Sequence, residues 1–369
     1  MISQEPHMTK DSVFITTSPS SPKTQPITIY LISGNPGLIS YYHVFVSLLS
    51  KKLQLISTSQ DQTFNIVGHS LAGFELEQTS ASASKHESQK GGSEKEHYHD
   101  LEDQIQFAQG RLEGHMRSSD QYPAGPGHDS STRPKVILIG HSVGTYIAME
   151  ILRRYREEQI NSNSSAESEY EKEKASFDII GGIMLFPTVM DIAKSPSGQK
   201  LTFLLRLIPQ LALVVSFLAR ILTTLLPDPL LKALVRFVMQ FPPETAVEST
   251  TSFLKSRRGV RQALHLGADE MRTITSDKWS DDVWGVSTSS PPSAGAQQTQ
   301  LFFYFGRNDH WVAEQTRDEI VAARGAKDGQ SGSGPKMIVC EESVSHAFCL
   351  RHNDIMANKV ADMVREITE

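Results

Sequence analysis

The chain has 369 residues, of which 38% are hydrophobic and 21% charged, and its formal net charge is −6. This length is sufficient for one large α/β domain with insertions. The acidic balance argues against nucleic acid as a main partner, because such partners require clustered Lys and Arg. Only two cysteines occur, Cys340 and Cys349, which favours reduced thiols over a disulfide framework.

Residues 1–23 are polar and rich in Ser, Thr and Pro, and we expect a disordered tail without a signal peptide. Over residues 24–369, short apolar runs alternate with helical patterns. This alternation predicts one α/β domain with a mostly parallel sheet and helices on both faces. The expected strands are Ile27–Ile32, Phe64–Val67, Val136–Ile139, Ile179–Phe186, Leu301–Phe305 and Met337–Cys340, and the expected helices are Tyr41–Leu53, Val143–Arg156, Val312–Arg324 and Asn353–Ile367.

A polar stretch, residues 77–133, interrupts this pattern and is rich in Ser, His, Gln, Lys and Glu. It is too polar to bury much surface, so we expect a disordered insertion in a loop. His97 and His99 lie within it without Cys or spaced carboxylate ligands, and we predict no metal site there. No phosphate-cradling or dinucleotide-binding loop is recognisable, so no cofactor is expected.

Residues 200–241 have the opposite character, since they are dense in Leu, Ile, Val and Phe. The uncharged run Leu207–Ala219 has 13 residues, short of the ~20 that span a bilayer. Two apolar helices folded back at Pro227–Pro229 could instead enter one leaflet, with basic side chains directed towards phosphate headgroups. The alternative is a helical cap buried over the active site, and the residues alone leave both open.

The central motif is Gly-His-Ser-Val-Gly at Gly140–Gly144, between a predicted strand and a predicted helix. A nucleophile elbow requires this arrangement, because the glycines allow a sharp turn that exposes the Ser142 hydroxyl above the sheet. The pattern predicts an α/β-hydrolase fold with Ser142 as nucleophile. A competing segment, Gly68–Gly73, has its second glycine one residue late, and we interpret Ser70 as part of a structural turn.

The partners of the serine should follow it in the order Ser, Asp or Glu, His. Asp309 and His346 each lie just beyond a predicted strand, so His346 would take the serine proton and Asp309 would fix its tautomer. Asp191 is the alternative acid, and His310 and His352 are minor alternatives to the histidine. For the oxyanion hole we predict the backbone N–H groups of Val143, at a helix N-terminus, and of Asn35, in the loop after the first long strand.

Several blocks of sequence together resemble the lipid droplet-associated hydrolase family. They are Ser33–Gly37 followed by Tyr41 and Tyr42, Gly140–Tyr146, Leu185–Thr188, Ser195–Gly198, Gly306–Trp311 and Ser345–Phe348. The resemblance implies an α/β-hydrolase fold with a triad of Ser142, Asp309 and His346. It also implies attachment to lipid droplets and the endoplasmic reticulum, and turnover of sterol esters or other neutral lipids.

The leading hypothesis is therefore a serine hydrolase of lipid esters at the cytosolic face of droplets and the endoplasmic reticulum. Residues 200–241 would contact the phospholipid monolayer. One alternative is a cytosolic hydrolase of small esters or thioesters, in which the apolar segment is only a cap. Another is a droplet-organising factor with weak catalysis.

Overall fold

Eight strands form one sheet in the computed structural model, which describes residues 6–18, 25–76, 97–119, 133–164, 177–286, 299–325 and 334–369. The strands are β1 (His7–Met8), β2 (Ser12–Thr17), β3 (Ile27–Ile32), β4 (Phe64–His69), β5 (Lys135–His141), β6 (Asp178–Leu185), β7 (Gln300–Phe305) and β8 (Lys336–Val339). Their order is β1-β2-β4-β3-β5-β6-β7-β8. From β4 to β8 every pairing is parallel, whereas β2 runs antiparallel to both β1 and β4.

Ten α-helices connect and cover these strands in the described part of the chain. They are α1 (His43–Gln60), α2 (Leu101–Ser119), α3 (Val143–Ser164), α4 (Pro196–Leu207), α5 (Leu211–Leu225), α6 (Asp228–Val238), α7 (Glu244–Lys255), α8 (Gly259–Thr273), α9 (Glu314–Arg324) and α10 (Asn353–Thr368). The expected strands and helices are present, with most ends shifted by one or two residues. The largest differences are at α3, which continues eight residues beyond the expected end at Arg156, and at α1, which continues seven residues beyond the expected end at Leu53.

The sheet separates two hydrophobic cores, because successive side chains of a strand point to opposite faces. On β3, Ile29 and Leu31 pack on the side of α1 and α10, whereas Tyr30 and Ile32 pack on the side of α2 and α3. All six β3 side chains are buried, as expected for a central strand covered on both faces. The parallel strands therefore end at one common edge, where loops carry the polar residues of interest.

Two expectations of disorder are wrong for the residues that the structure describes. Within residues 1–23, Ser12–Thr17 forms β2, because Val13 and Phe14 are buried when β2 pairs with β4. Within residues 77–133, Leu101–Ser119 forms α2, whose buried side chains recur at helical spacing. These are Leu101, Ile105, Ala108, Leu112 and Met116. Residues 1–5, 19–23, 77–96 and 120–132 lie outside the described part.

The apolar segment 200–241 forms most of α4, all of α5 and α6, and the residues that follow. Leu211, Leu231 and Val235 are buried against the domain, but most large apolar side chains of the segment point outward. Of the 18 exposed large hydrophobic residues in the described chain, 14 lie between Phe203 and Phe241. No single described helix is long and apolar enough to cross a bilayer. Helices α4 and α5 together reach the necessary length and apolar composition, but the pair is bent by 95°.

The tight contact between α3 and β3 gives a prediction about Gly144. A Cβ added there would overlap the backbone carbonyl oxygen of Ile32, whereas a Cβ at the exposed α2 position Gly110 would meet nothing within 4 Å. Gly144→Ala should therefore lower the free energy of unfolding by about 2–3 kcal/mol or more, while Gly110→Ala should raise it by about 0.5–1 kcal/mol. Urea unfolding measures both, and equal midpoints for the two variants would contradict this packing.

Candidate active site

Ser142 lies at a strained turn between β5 and α3. Its φ angle is 54°, in the left-handed region that non-glycine residues rarely adopt. The turn is held by hydrogen bonds from the Ser142 N–H to the Leu185 carbonyl (3.0 Å) and from the Thr145 N–H and Oγ1 to the Ser142 carbonyl. A Cβ at Gly140 would overlap the backbone of Gly144 and Thr145, so the turn needs glycine at Gly140. This geometry is that of a nucleophile elbow.

The structure brings Ser142 together with both predicted partners. Ser142 Oγ is 2.9 Å from His346 Nε2, and His346 Nδ1 is 2.8 Å from Asp309 Oδ2. The loop after β8 carries His346 and the loop after β7 carries Asp309, so the three side chains meet at the carboxyl edge of the sheet. The side chain of Asp309 is 1% exposed and that of His346 is 14% exposed.

The partners of each atom fix the directions of these hydrogen bonds. A carboxylate oxygen only accepts, so His346 Nδ1 carries the hydrogen and donates it to Asp309. In the neutral ring, Nε2 is then bare and accepts the hydroxyl hydrogen of Ser142. The second carboxylate oxygen, Asp309 Oδ1, accepts a 2.8 Å hydrogen bond from the Trp311 N–H. Both oxygens of Asp309 are therefore held, and the imidazole is fixed in the tautomer that can receive the serine proton.

The alternative residues have other contacts. Ser70 Oγ donates to Asp11 Oδ1 at 3.0 Å and accepts from the Ile39 N–H at 3.3 Å, so it holds a buried loop. The Asp191 carboxylate lies 2.7 Å from Lys194 Nζ. His352 Nδ1 lies 3.3 Å from both the N–H and the Oγ of Ser345. The remaining alternative, His310, accepts a backbone hydrogen bond from Ser197 through its carbonyl.

The loop that carries Asn35 packs directly on the elbow. A Cβ at Gly34 would lie 2.9 Å from Ser142 Cβ, so only glycine allows this approach. The Asn35 side chain is anchored by its Nδ2, which donates to the Ala263 carbonyl and to Glu270 Oε1, each at 2.9 Å. Val143 is the first residue of α3 and follows the serine directly. The roles of the Asn35 and Val143 N–H groups in an oxyanion hole stay a prediction.

A cavity of about 410 Å³ opens beside Ser142 and His346. Its other walls are mainly apolar and come from several regions of the chain. Leu201 of α4 and Met239 after α6 belong to the apolar segment, while Ala263 and Met271 belong to α8. Such a volume is in the usual range for small-molecule sites. The apolar segment therefore contributes to the wall of the site as well as to the surface.

Glu270 is a buried acid in this cavity wall that the sequence did not reveal. It is 4% exposed, and burial raises the pKa of its carboxyl to about 8, with Asp269 raising it further and the Asn35 hydrogen bond opposing the rise. The group is therefore mostly protonated at neutral pH. No local motif marks Glu270, since its partner Asn35 is 235 residues away.

His97 and His99 meet a carboxylate that the sequence analysis did not assign to them. Asp103 Oδ2 lies 2.9 Å from His97 Nε2 and 3.7 Å from His99 Nδ1. The expectation that no carboxylate accompanies the histidines is therefore wrong, because Asp103, in the first turn of α2, lies beside both of them. The potential ligand atoms of the three side chains lie within 4.8 Å of one another, and the His97 side chain is 70% exposed. The prediction of no metal stays untested.

The strand order with an antiparallel β2, the strand–elbow–helix unit and the chain order Ser142, Asp309, His346 define the class: the protein is an α/β-hydrolase. Within that class, the chain belongs to the lipid-droplet associated hydrolase family, whose family model matches residues 25–349. The predictions of the fold and of the family are thus confirmed, and the protein is a hydrolase.

The relatives cover nearly the whole chain. The lipid droplet-associated hydrolase of Gallus gallus is 26% identical over 364 residues, covering 98% of this chain and 91% of the relative. That of Pongo abelii is 24% identical over 348 residues, covering 94% and 87%. Among solved structures, a thermophilic esterase from Thermogutta terrifontis is similar with a TM-score of 0.48 and 13% identity, covering 96% of this chain and 93% of that one.

Glu270 makes stability depend on pH. The folded state keeps its proton up to a pKa of about 8, whereas the unfolded chain releases it near the ordinary value. The free energy of unfolding therefore falls as the pH rises from about 4.5 to about 8. Each unit by which the folded pKa exceeds the unfolded pKa costs about 1.4 kcal/mol, so the total loss is several kcal/mol. Glu270→Gln should be more stable than wild type, and the gain should grow over this range.

Urea unfolding at pH 5, 6.5 and 8.5 measures this difference. Glu319→Gln, at an exposed position of α9, is the control and should follow the wild-type curve. A stability gain from Glu270→Gln that is the same at pH 5 and pH 8.5 would show that ionisation of Glu270 is not its cause.

Proposed function

We propose that this protein is a serine hydrolase that cleaves lipid esters of the neutral-lipid or sterol-ester class at the surface of lipid droplets. The observation that carries the proposal is the hydrogen-bonded chain from Ser142 through His346 to Asp309, with contacts of 2.9 and 2.8 Å. This chain borders a mainly apolar cavity. The arrangement supports acyl transfer to serine, because a nucleophile, a base and an orienting acid are already in contact.

In the first half of the proposed reaction, Ser142 Oγ attacks the ester carbonyl carbon while His346 Nε2 takes the hydroxyl proton. Asp309 stabilises the imidazolium that forms and stays ionised itself. The carbonyl oxygen becomes an oxyanion, which the N–H groups of Asn35 and Val143 would stabilise. When the tetrahedral intermediate collapses, His346 returns the proton to the leaving alcohol, and the acyl group stays on Ser142.

In the second half, water replaces the alcohol. His346 Nε2 takes a proton from the water, whose oxygen attacks the acyl carbon, and a second tetrahedral intermediate forms at the same oxyanion site. Collapse of this intermediate releases the fatty acid and returns the proton to Ser142 Oγ. The cycle needs no metal or cofactor, since the chain supplies every proton acceptor and donor.

The outward side of the apolar segment supports a lipid surface as the place of action. Phe217, Leu225, Phe237 and Phe241 are between 64% and 77% exposed, in a continuous stretch of sequence. Monomeric soluble proteins rarely expose so many large apolar side chains together. Burying one of them in the interface contributes about 1.5–3 kcal/mol, so several outweigh the cost of placing amphipathic helices in a monolayer.

Charges on α6 leave its outer face apolar. Arg236 pairs with Glu244 at 2.6 Å and Lys232 lies 3.8 Å from Glu248, so both bases face α7.

The bend of 95° between α4 and α5 suits a segment that enters one leaflet and leaves on the same side. A droplet has a phospholipid monolayer over oil, which cannot accommodate a helix with water at both ends. The relatives are named lipid droplet-associated hydrolases, which agrees with a location on droplets. We propose the cytosolic face of the endoplasmic reticulum as a second location of the protein.

The nucleophile is tested by two serine variants. Ser142→Ala should lower ester hydrolysis by a factor on the order of 10⁶ and abolish labelling by a fluorophosphonate probe. Ser70→Ala keeps the triad and should stay within about threefold of wild type, because its hydroxyl only holds a loop. Equal losses in the two folded variants would refute Ser142 as nucleophile.

If Ser142→Ala restored normal droplets in cells lacking the protein, the organising role would be favoured over catalysis.

Attachment to lipid is tested by a second pair of variants. Changing four exposed residues of α5 to Ser should release a fluorescent fusion from droplets and reduce binding of the purified protein to phospholipid-covered oil droplets. These are Leu213, Val214, Phe217 and Leu218. The control changes four polar residues of α9, namely Glu314, Gln315, Asp318 and Glu319, to Ser and should stay bound. A fusion that keeps its droplet location in both variants would contradict the proposed attachment.

A further inference from the structure

Two buried side chains connect the loops on either side of the active site. Tyr42, just before α1, and His141, just before the nucleophile, are 3% and 5% exposed. The Tyr42 hydroxyl lies 2.6 Å from His141 Nδ1 and 3.0 Å from the N–H of Gly34. On the other side, His141 Nε2 lies 2.9 Å from the carbonyl oxygen of His346. A continuous hydrogen-bonded bridge therefore runs from Gly34 to His346.

Each hydrogen in this bridge has only one possible position. The carbonyl of His346 can only accept, so the hydrogen of a neutral His141 ring lies on Nε2 and Nδ1 is bare. Tyr42 must then donate its hydroxyl hydrogen to Nδ1. The same hydroxyl oxygen accepts the N–H of Gly34, since a backbone amide can only donate. Reversing any one bond would leave a buried polar group without its partner.

Burial keeps both side chains in these protonation states. It lowers the pKa of His141 to about 3, with the neighbouring His346 lowering it further and the hydrogen bond to the His346 carbonyl opposing the change. It raises the pKa of the Tyr42 hydroxyl well above its usual value. The His141 ring is also packed among aromatic rings, with its centroid 5.0 Å from that of Phe348 and 6.0 Å from that of Phe186. The ring is therefore held in position as well as in tautomer.

The two ends of the bridge belong to the two halves of the site. Gly34 precedes Asn35, so its orientation sets the direction of the Asn35 N–H. The His346 carbonyl belongs to the residue whose ring contacts Ser142, so holding that carbonyl restrains the ring. We propose that Tyr42 and His141 are positioning residues, which hold the oxyanion loop and the His346 loop at the separation that attack by Ser142 requires. Their catalytic consequence rests on the proposed function, whereas the bridge itself does not.

The first test reads the bridge without measuring activity. In the full chain labelled with ¹⁵N-histidine, a long-range ¹H–¹⁵N spectrum distinguishes protonated from bare imidazole nitrogens, and His141→Gln assigns the His141 signals. We expect a neutral ring with hydrogen on Nε2 from pH 5 to pH 8, and a shifted Nδ1 signal in Tyr42→Phe. Hydrogen on Nδ1, or a doubly protonated ring at pH 6, would overturn the bridge.

The second test measures positioning with a soluble chromogenic ester. Tyr42→Phe removes only the hydroxyl, and kcat should fall about 10–100-fold while KM stays within about threefold, because the geometry of attack changes while the aromatic ring and the apolar cavity walls from α4 and α8 stay in place. The matched control is Tyr30→Phe, since the Tyr30 hydroxyl is also buried and donates to the Ala108 carbonyl at 3.1 Å, away from the cavity. Its kcat should stay within about threefold of wild type.

These outcomes separate the two proposals. If Ser142→Ala is inactive and Tyr42→Phe has the kcat of Tyr30→Phe, positioning by the bridge is wrong and the proposed function stands. If the wild type hydrolyses no ester, the proposed function is wrong, and the tautomer of His141 still decides whether the bridge exists.

Discussion

The left-handed conformation of Ser142 is the constraint on which the rest of the site depends. The backbone conformation of a serine with φ of 54° is unfavourable by itself, and it persists because the packing around it holds the chain in this turn. Gly144 lets α3 touch β3, Gly140 lets the turn close, and Gly34 lets the next loop lie against the serine. The same close packing that accommodates the turn thus places the loop of Gly34 directly against Ser142. The strained residue and the close contacts around it are therefore parts of one packed arrangement.

Features that depend on residues adjacent in the sequence could be predicted from it. The central strands are uninterrupted apolar runs, and the elbow is a short motif with a strand before it and a helix after it. Asp309 and His346 could be placed because each follows a strand that must end at the same edge of a parallel sheet. Family membership added the expectation of lipid esters, which no residue spacing indicates.

Features that depend on distant residues could not be predicted. Strand β2 has an irregular burial pattern, and its pairing with β1 and β4 identifies it. The apolar stripe of α2 was hidden because the surrounding residues are rich in Ser, His and Gln. Glu270 has no local signal, and Tyr42 stands in a block of family resemblance that does not indicate its partner, since the contacts with Asn35 and His141 arise only in the complete fold. The buried hydrogen-bond partners of a site are thus the part that sequence patterns describe least.

The apolar segment has one side towards the exterior, with Phe217 and Phe237, and another that includes Leu201 and Met239 in the cavity wall. For an enzyme attached to oil through the outer side, substrate need not pass through water to reach the serine. Its supply is then set by the number of ester molecules per unit of droplet area, and the bulk concentration of lipid has little meaning. Turnover in a cell would scale with total droplet surface, so many small droplets would be consumed faster than the same oil held in a few large ones.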